Sequence, residues 1–498
     1  MATHILAIDQ GTTGTTSLVV KFAPGTDKPV EVVARGYREF TQHFPKPGWV
    51  EHDLKEIWAS VEVSIGESLE KAGLSGSDIK AIGITNQRET TGIWDQSGEP
   101  IHNAIVWQDR RTADFCTSLR EQNLSETFSK KTGLVLDPYF SGTKVRWLLE
   151  NVEGAQARAD AGELRFGTID TWLVWNLTAG AAHITDVTNA SRTLMLDITK
   201  GRWDAELCEA LGGVPTSLLP EVKSCSEIYG ETKGLSVLPD GIPIAGIAGD
   251  QQASLFGQAC LKPGMAKCTY GTGAFALVNI GPEFRQSQNG MLTTIAWKLG
   301  DEITYAIEGS VFIAGAIVQW LRDGLGLIES SSDVEALATS VEDNGGVTLV
   351  PALAGLGAPH WRPEARGVIY GLTRGSNKGH IARAALEGIA FQVRDLMSAM
   401  EADSGLSIEE LRVDGGATAN ELLMQFQADI LETQLLRPEV LDTTALGAAY
   451  LAALGSGVLK TPADVMDAWL SEKTFQGKMS STEVEERNQV WQVALKKA

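Results

Sequence analysis

A strand–turn–strand unit that occurs once in each half of the chain most restricts the possible folds. The first unit joins apolar residues 5–8 and 18–22 through Asp-Gln-Gly-Thr-Thr-Gly at 9–14. The same order of apolar run, Gly-Thr-Gly turn and apolar run returns at 266–280, where the turn begins 271 − 11 = 260 residues further on. Glycine and threonine between apolar runs are typical of a hairpin, and the repeat predicts two related domains.

The segments between these units predict a mixed α/β fold. A third strand is expected at 31–35, then a helix after Asp53 with apolar residues at four-residue spacing, then a strand at 81–85. The chain would therefore open with three strands, a helix and a strand. In the second half, the amphipathic pattern of 377–401 predicts a long helix, and 411–413 predicts a strand that ends in Asp-Gly-Gly.

The length of the chain indicates more than one domain. Its 498 residues exceed the roughly 250–300 residues that one hydrophobic core usually serves. We place the join near 257–263, where a helix gives way to Lys-Pro-Gly. This predicts domains over 1–257 and 258–498, each opening with one strand–turn–strand unit.

The charge and the composition limit which binding partners and which cellular compartment are expected. The chain has 42 Lys and Arg against 63 Asp and Glu, a net charge of −21, whereas nucleic acids attract basic surfaces. Asp9 interrupts the first apolar run, and the apolar stretch 311–321 is shorter than the ~20 residues that cross a bilayer. The five cysteines form no CxxC pair. We expect a cytoplasmic protein with no nucleic-acid partner and no integral membrane association.

The glycine turns indicate how an anionic ligand could be held. The sequence has no GxxxxGK[ST] loop and no GxGxxG that opens a helix, so neither a P-loop nor a Rossmann site is supported. Glycine turns remain at 9–14, 271–273 and 415–416, where backbone N–H groups can approach a phosphate closely. A single turn of this kind is more often an ordinary hairpin. Three of them, two at matched positions, favour a nucleotide held between two domains.

Two aspartates at the ends of predicted strands each have two interpretations. Asp9 lies beside the first turn and would either cap local amides or act as a carboxylate associated with Mg²⁺. Asp250 follows the apolar run 242–247 and precedes a helix, which suits a helix N-cap or a general base. These two roles of Asp250 are compatible, because a helix N-terminus would keep the carboxylate ionised.

Longer motifs point to a family. Residues 45–53 read Pro-Lys-Pro-Gly-Trp-Val-Glu-His-Asp, and residues 83–91 read Gly-Ile-Thr-Asn-Gln-Arg-Glu-Thr-Thr. Further matches lie at 104–108, 137–144, 246–256, 269–273, 413–420 and 444–451. Through these motifs the chain resembles the glycerol kinases of the FGGY carbohydrate-kinase family, in the actin/Hsp70/hexokinase superfamily. The resemblance covers nearly the whole chain in order.

The resemblance implies a fold and a reaction. The fold is α/β, with two RNase H-like domains of the actin-type ATPase kind facing each other across a nucleotide cleft. The reaction is the phosphorylation of glycerol to sn-glycerol 3-phosphate with ATP and Mg²⁺, the first step of glycerol catabolism. The family usually forms homo-oligomers, which implies a homodimer or a homotetramer here.

The resemblance also implies roles for individual positions. Those that match polyol-binding residues are Arg88, Glu89, Trp107, Tyr139, Asp250, Gln251 and Phe275. Those assigned to the nucleotide are Thr12, Thr13, Gly14, Thr16, Thr272, Gly315, Gln319, Gly416 and Asn420. Asp9 matches the carboxylate that holds magnesium, and Asp250 matches the general base. By residue type alone, Arg88 and Glu89 would suit a solvated surface pair, and the aromatic residues Trp107, Tyr139 and Phe275 would suit a hydrophobic core. The motif matches favour the polyol-binding site instead.

The first turn departs from the family pattern. Gly14 and Thr16 stand where the family commonly has a serine and an arginine, so a hydroxyl and a cation near the phosphates are missing. We therefore expect Mg²⁺ and backbone amides, more than Lys or Arg, to hold ATP. Two alternatives stay open. One is a kinase for another polyol or ketose, such as xylulose or gluconate, and the other is an ATP-dependent chaperone or filament protein on the same fold.

Overall fold

The computed structural model describes residues 2–498, and its elements are numbered here in chain order. The helices are α1 Leu54–Ala72, α2 Ala113–Glu121, α3 Ser125–Thr132, α4 Ser141–Asn151, α5 Ala155–Asp160, α6 Ile169–Leu177, α7 Val187–Ala190, α8 Ala205–Ala210, α9 Asp250–Gly257, α10 Gly315–Asp323, α11 Asp333–Thr339, α12 Lys378–Ser404, α13 Glu421–Leu431, α14 Thr443–Gly455, α15 Pro462–Ala468 and α16 Ser481–Leu495. The strands are β1 Thr3–Gln10, β2 Gly14–Phe22, β3 Val30–Glu39, β4 Glu51–His52, β5 Ile79–Asn86, β6 Gly92–Asp95, β7 Ala104–Ile105, β8 Leu164–Gly167, β9 Ile184–Asp186, β10 Leu196–Asp197, β11 Arg202–Trp203, β12 Glu221–Lys223, β13 Gly230–Glu231, β14 Pro243–Gly249, β15 Ala266–Tyr270, β16 Ala274–Gly281, β17 Leu292–Leu299, β18 Glu302–Val311, β19 Thr348–Val350, β20 Val368–Tyr370, β21 Glu410–Asp414, β22 Gln434–Pro438 and β23 Ser471–Phe475.

The N-terminal sheet has the strand order β13-β14-β5-β1-β2-β3. Strands β1 and β2 pair antiparallel around the first glycine turn, whereas β1, β5 and β14 run parallel. Strand β1 carries apolar side chains on both faces of the sheet, and a helix covers each face. Leu6 and Ile8 pack in a cluster with α1, and Ile5 and Ala7 pack in a cluster with α14. The first hairpin and the strand predicted at 81–85 are confirmed.

The C-terminal sheet has the strand order β17-β18-β16-β15-β21-β22-β23. Strands β15 and β16 pair antiparallel around the Gly-Thr-Gly turn, and β15, β21 and β22 run parallel. In both sheets the first strand of the unit thus has a hairpin partner on one side and a parallel strand on the other. The α/β prediction and the repeated unit are confirmed. The domain boundary at 257/258 stays a prediction.

The helices that were predicted from the sequence are present close to their expected positions. Helix α1 follows Asp53, whose side chain accepts a hydrogen bond from the Lys55 amide. The helix predicted over 377–401 is α12, which Asn377 caps. The three predicted opening strands are present as β1 to β3, but the helix does not follow them directly, because the short strand β4 lies between β3 and α1. The two residues of β4 are too few to show an alternating pattern. Among the described residues, no helix combines the length and the apolar character that crossing a membrane requires.

Helix α14 connects the two sheets. It follows β22 of the C-terminal sheet but packs on β5 and β14 of the N-terminal sheet and on α9. Gly447 of α14 lies directly against the backbone of α9, where a Cβ atom would be 1.8 Å from the Ala253 carbonyl oxygen. One apolar cluster therefore continues from the first sheet into the second.

Candidate active site

Three parallel strands of the N-terminal sheet end at the same edge and carry charged residues there. Asp9 is the penultimate residue of β1, Arg88 lies two residues beyond β5, and Asp250 directly follows β14. Because these strands run parallel, the three side chains are brought to one edge although they are far apart in sequence. Open α/β sheets bind ligands beyond the carboxyl ends of their strands.

Arg88 is buried at this edge and is surrounded by acceptors. Its Nε lies 3.1 Å from Asp250 Oδ1 and 3.7 Å from Glu89 Oε1. Its two Nη atoms donate to the Glu308 carboxylate at 2.6 and 2.8 Å, and Nη1 also donates to Gln252 Oε1 at 3.2 Å. The side chains of Arg88 and Glu89 are each 2% exposed, which excludes the interpretation as a solvated surface pair.

Aromatic rings border these charged groups. Arg88 Nη2 lies 3.5 Å from Tyr139 Oη, and the rings of Tyr139 and Trp107 meet edge to face with centroids 5.6 Å apart. The Trp107 indole N–H donates to Thr12 Oγ1 at 2.9 Å, which ties the aromatic wall to the first glycine turn. Trp107 and Tyr139 stay partly exposed and are not core residues. A charged donor beside apolar walls suits a small ligand that carries both hydroxyl groups and C–H faces.

The helix position and the pKa of Asp250 both differ from what the sequence predicts. It is the first residue of α9, and Gly249 occupies the N-cap position, so the N-cap prediction is wrong by one residue. Its carboxylate accepts a hydrogen bond from the Gln251 amide at 2.7 Å. Burial nevertheless raises the pKa of Asp250; Arg88 opposes this rise and Glu89 adds to it. The carboxylate is therefore a stronger base than a solvated aspartate.

Asp9 faces other carboxylates near the start of α14. It lies on the face of β1 that packs against α14, opposite Thr16 of β2. Burial, followed by the charges of Asp250 and Asp442, raises the pKa of Asp9 to about 7, and Arg35 opposes this only in part. A cation would relieve this excess of negative charge. In the described part of the chain, no three His, Cys, Asp or Glu are grouped to hold a metal ion by themselves.

The second and third glycine turns meet in the C-terminal domain. The Gly271 carbonyl accepts a hydrogen bond at 2.9 Å from the amide of Gly315, the first residue of α10. Gly415 follows β21 with φ 90°, and a Cβ atom there would be 2.5 Å from the Tyr270 carbonyl oxygen. Only glycine allows both this approach and this backbone angle. Parallel strands β15 and β21 thus place the two turns side by side.

Known proteins share this arrangement of two domains. Residues 4–257 match the FGGY family of carbohydrate kinases, N-terminal domain, and residues 266–456 match its C-terminal domain. The chain belongs to the FGGY family of carbohydrate kinases. A glycerol kinase of Myxococcus xanthus is 57% identical over 500 residues, which cover 100% of this chain and 99% of the relative. A glycerol kinase of Burkholderia cenocepacia is 55% identical over 99% of this chain and 98% of the relative.

Solved structures agree with this assignment. This FGGY kinase is similar to Plasmodium falciparum glycerol kinase with ADP, at a TM-score of 0.92 and 38% identity over 99% of this chain and 98% of the other. A gluconate kinase from Lactobacillus acidophilus has a TM-score of 0.87 at 21% identity, over 100% of this chain and 97% of the other, and shows the fold alone. The expected two-domain fold of the actin type is confirmed.

The other residues assigned to the nucleotide lie in varied environments. Gly14 is buried, and a Cβ atom there would be 2.7 Å from Tyr37 Oη. Thr13 and Gln319 are exposed, and Asn420 caps α13 with its side-chain oxygen. Thr272 and Gly416 are also exposed, at the tips of their turns. The nucleotide roles of these residues stay predictions.

Lys267 contacts Gln251, one of the predicted polyol residues of this FGGY kinase. Its ammonium donates to Gln251 Oε1 and, at 3.0 Å, to Thr269 Oγ1. Phe275 lies opposite Thr269 in the β15–β16 hairpin. Burial lowers the pKa of Lys267, and the nearby Asp414 carboxylate counteracts the fall. This buried cation joins the C-terminal hairpin to the residue that follows Asp250.

Three charged residues at the site were not anticipated from the sequence: Arg192, Lys267 and Glu308. Lys267 and Glu308 are charged residues inside largely apolar strands, and this is a signal that could have indicated buried partners. Arg192 lies in the loop after α7, where a basic residue gives no such signal. Its Nε donates to Glu89 Oε1 at 2.7 Å.

Proposed function

We propose that this FGGY kinase transfers the γ-phosphoryl group of ATP to a terminal hydroxyl of glycerol, giving sn-glycerol 3-phosphate. The observation that carries this proposal is the identity of 57% and 55%, over essentially the full chain, with relatives that are glycerol kinases. The arrangement of donors, acceptors and aromatic rings at the edge of the N-terminal sheet supports it. The reaction would be the first step of glycerol catabolism.

The pocket suits a three-carbon triol. The Nε edge of Arg88 and the carboxylates of Glu89 and Asp250 can donate to and accept from adjacent hydroxyls, with Arg88 Nε only 3.1 Å from Asp250 Oδ1. The rings of Trp107 and Tyr139 can cover the narrow C–H faces of such a molecule. We assign the polyol site to Arg88, Glu89, Trp107, Tyr139, Asp250, Gln251 and Phe275.

Asp250 is the proposed general base. Its carboxylate would take the proton of the attacking hydroxyl as the new oxygen–phosphorus bond forms and the bond between the γ-phosphorus and the bridging oxygen of ADP breaks. Its raised pKa favours this proton transfer near neutral pH. Arg88 stays beside it in its charged form and holds its orientation.

The glycine turns are the proposed phosphate site. Backbone N–H groups at such turns donate to phosphate oxygens without adding side-chain charge. The turns of the C-terminal domain lie side by side at the ends of β15 and β21. We assign the nucleotide to Thr12, Thr13, Gly14, Thr16, Thr272, Gly315, Gln319, Gly416 and Asn420.

We propose that Mg²⁺ accompanies ATP at Asp9. The residues fit the ion, because the Asp9 carboxylate faces Asp250 and Asp442, which raise its pKa. Mg²⁺ commonly keeps several waters and binds through one or two carboxylates and substrate phosphates, so a full protein shell is not needed. When bound, the ion supplies charge neutralisation to the β- and γ-phosphates. Asp9 would hold it, and Asp250 would remain free to accept the proton.

A cytoplasmic location and a homodimer or homotetramer are further proposals. The location is proposed because the five cysteines form no CxxC pair and are all free, which suits a reducing compartment. The oligomer is inferred from the family. Cell fractionation tests the first, and light scattering on the purified protein tests the second.

The substrate is tested by a coupled assay of ADP release with glycerol, dihydroxyacetone, xylulose and gluconate. We expect glycerol to have the highest kcat/KM. A higher kcat/KM for xylulose or gluconate would show that this compound, and not glycerol, is the substrate. Absence of turnover with every compound would reject the kinase proposal.

The role of Asp250 is tested with Asp250→Asn, which keeps the size of the side chain and removes its basicity. We expect kcat to fall by about 10²- to 10⁴-fold, the range typical of a general base. Asp95→Asn is a matched control, because Asp95 accepts hydrogen bonds within its own exposed turn. A kcat for Asp250→Asn within a few-fold of the parent would reject the base assignment.

A further inference from the structure

Glu308 reaches from the C-terminal sheet into the proposed polyol site of the N-terminal domain. It lies in β18, and its side chain is 4% exposed. Its Oε2 accepts from Arg88 Nη1 at 2.6 Å, and its Oε1 accepts from Arg88 Nη2 at 2.8 Å. These partners are 220 residues apart in sequence, so the contact exists only because the two sheets approach each other here.

The Glu308 carboxylate determines which edge of Arg88 faces the pocket. A guanidinium can pair side-on through Nε and one Nη or end-on through both Nη atoms. Glu308 occupies both Nη atoms, which leaves Nε directed at Asp250 Oδ1, 3.1 Å away, and towards Glu89 Oε1 at 3.7 Å. The edge of Arg88 that is left for a hydroxyl is therefore the Nε edge.

Arg192 completes a buried group of alternating charge. Its Nε donates to Glu89 Oε1 at 2.7 Å and its Nη2 donates to Glu308 Oε1 at 3.0 Å. Two guanidinium groups thus share two carboxylates, so that the four charges balance and their burial is tolerated. Burial alone would raise the pKa of Glu308, but Arg192 and Arg88 outweigh it and hold that pKa at about 2.

We propose that Glu308 is a positioning residue of the polyol site: held by the C-terminal sheet, it fixes the orientation of Arg88, so that the polyol pocket is complete only when both domains are in contact. This inference rests on the proposed function for the identity of the polyol. It adds a residue of the opposite domain to a site otherwise built mainly from the ends of β5 and β14. It also means that polyol binding depends on the distance between the two sheets.

Glu308→Gln is the direct test. The amide retains one acceptor oxygen but presents its NH₂ group to the second Nη atom of Arg88, so the end-on pair is lost. The Arg88 guanidinium is then free to rotate, so that either its Nε edge or its two Nη atoms can face Asp250 and Glu89. We expect KM for glycerol to rise about ten- to a hundredfold, as for loss of a charged hydrogen bond, with KM for ATP changed less than about threefold.

Glu308→Asp and Glu387→Gln serve as comparison variants. Glu308→Asp keeps the charge but withdraws it by one methylene group, and we expect a KM for glycerol between those of the parent and Glu308→Gln. Glu387 is a second buried glutamate of the C-terminal domain, which accepts from Asn344 and Arg383 away from the pocket. Glu387→Gln should lower the melting temperature without changing KM for glycerol.

A double-mutant cycle tests whether Glu308 acts through Arg88. If it does, Glu308→Gln in an Arg88→Met background should change KM for glycerol by less than about twofold, because the residue it positions is already absent. An effect as large as in the parent background would overturn the proposal. So would an unchanged KM for glycerol in both Glu308 variants, or equal increases in the KM for glycerol and ATP.

A crystal structure of a Glu308 variant separates this inference from the substrate assignment. An Arg88 guanidinium whose Nε has turned away from Asp250 would support the positioning role, whichever polyol the chain uses. An unchanged Arg88 would overturn the role even if glycerol is the substrate. Failure of the parent protein to phosphorylate glycerol would reject the proposed function alone, and the KM comparison would then use the polyol found in the substrate panel. If Glu308→Gln does not fold, Glu308→Asp provides the same comparisons.

Discussion

The contact between helices α9 and α14 predicts that replacing a helical glycine by alanine destabilises the protein here, although alanine is the better helix former. At Gly447 of α14, a Cβ atom would be 1.8 Å from the carbonyl oxygen of Ala253 in α9, whereas ordinary contact begins at 3.4 Å. Gly257, at the end of α9, is equally close to the other helix, with a Cβ position 1.9 Å from the Thr443 carbonyl oxygen. Both overlaps involve backbone atoms, which no rotamer change can relieve.

The size of the effect follows from this overlap. To accept Gly447→Ala, the two helices must separate by about 3.4 − 1.8 = 1.6 Å. Alanine gains about 1 kcal/mol over glycine in a helix interior, whereas overpacking costs about 1–3 kcal/mol. With backbone on both sides we take the upper value, which leaves a net loss of about 2 kcal/mol. For a domain of this size the melting temperature would fall by roughly 4–8 °C.

Gly66 provides a matched control in helix α1. It is also in a helix interior, but a Cβ atom there would be 3.9 Å from Val237 Cγ1, an ordinary contact. Gly66→Ala should therefore show only the helix-propensity gain of about 0.5–1 kcal/mol and melt slightly above the parent. The same substitution thus has opposite signs at the two positions.

Differential scanning calorimetry measures both variants, and the kinase assay adds a second readout. Because Asp250 is the first residue of α9, separation of α9 from α14 should also lower kcat in Gly447→Ala but not in Gly66→Ala. If Gly447→Ala melts at or above the parent temperature, the steric argument is wrong. If both variants lose stability equally, the effect is general to these helices and not to their contact.

Two further changes test the surroundings of the pocket. The buried amine of Lys144 donates to the Tyr139 and Phe140 carbonyls, and burial lowers its pKa from 10.5 to about 7, so the folded protein releases a proton that the unfolded chain keeps. The free energy of unfolding should therefore rise as the pH rises from about 7 towards 10.5. Between about pH 7 and 9, the melting temperature of Lys144→Met should increase less than that of the parent. Equal increases would contradict the effect of burial on Lys144. Thr12→Val removes the acceptor of the Trp107 indole N–H, which lies 2.9 Å away. It should raise KM for glycerol about tenfold, whereas Thr12→Ser should not, and equal values for the two would show that this hydrogen bond does not hold the wall.

Local patterns were sufficient for much of the fold. The two hairpins, helix α1 after Asp53 and helix α12 after Asn377 lie where spacing and capping residues predict them. Strand β4 was missed because two residues carry no periodicity. The N-cap at Asp250 was misplaced by one residue, since the extended backbone of β14 continues through Gly249.

The candidate site shows the same division between local and distant information. Arg88, Glu89 and Trp107 stand in contiguous motifs, and their neighbours in the chain identify them. Glu308 and Lys267 meet the pocket from the other sheet, through contacts that depend on strand register and on the packing of α14. No local sequence pattern predicts a contact between residues that are so far apart in the chain.

The amino-acid sequence was sufficient to identify the family, the repeated unit and the residue types of the pocket, because motifs and periodicity act over a few neighbouring positions. It could not specify the raised pKa of Asp250, the direction of the Arg88 side chain or its partner Glu308. These depend on desolvation and on Coulomb interactions between groups that come together only when the two sheets pack, and both effects change steeply over a few ångströms.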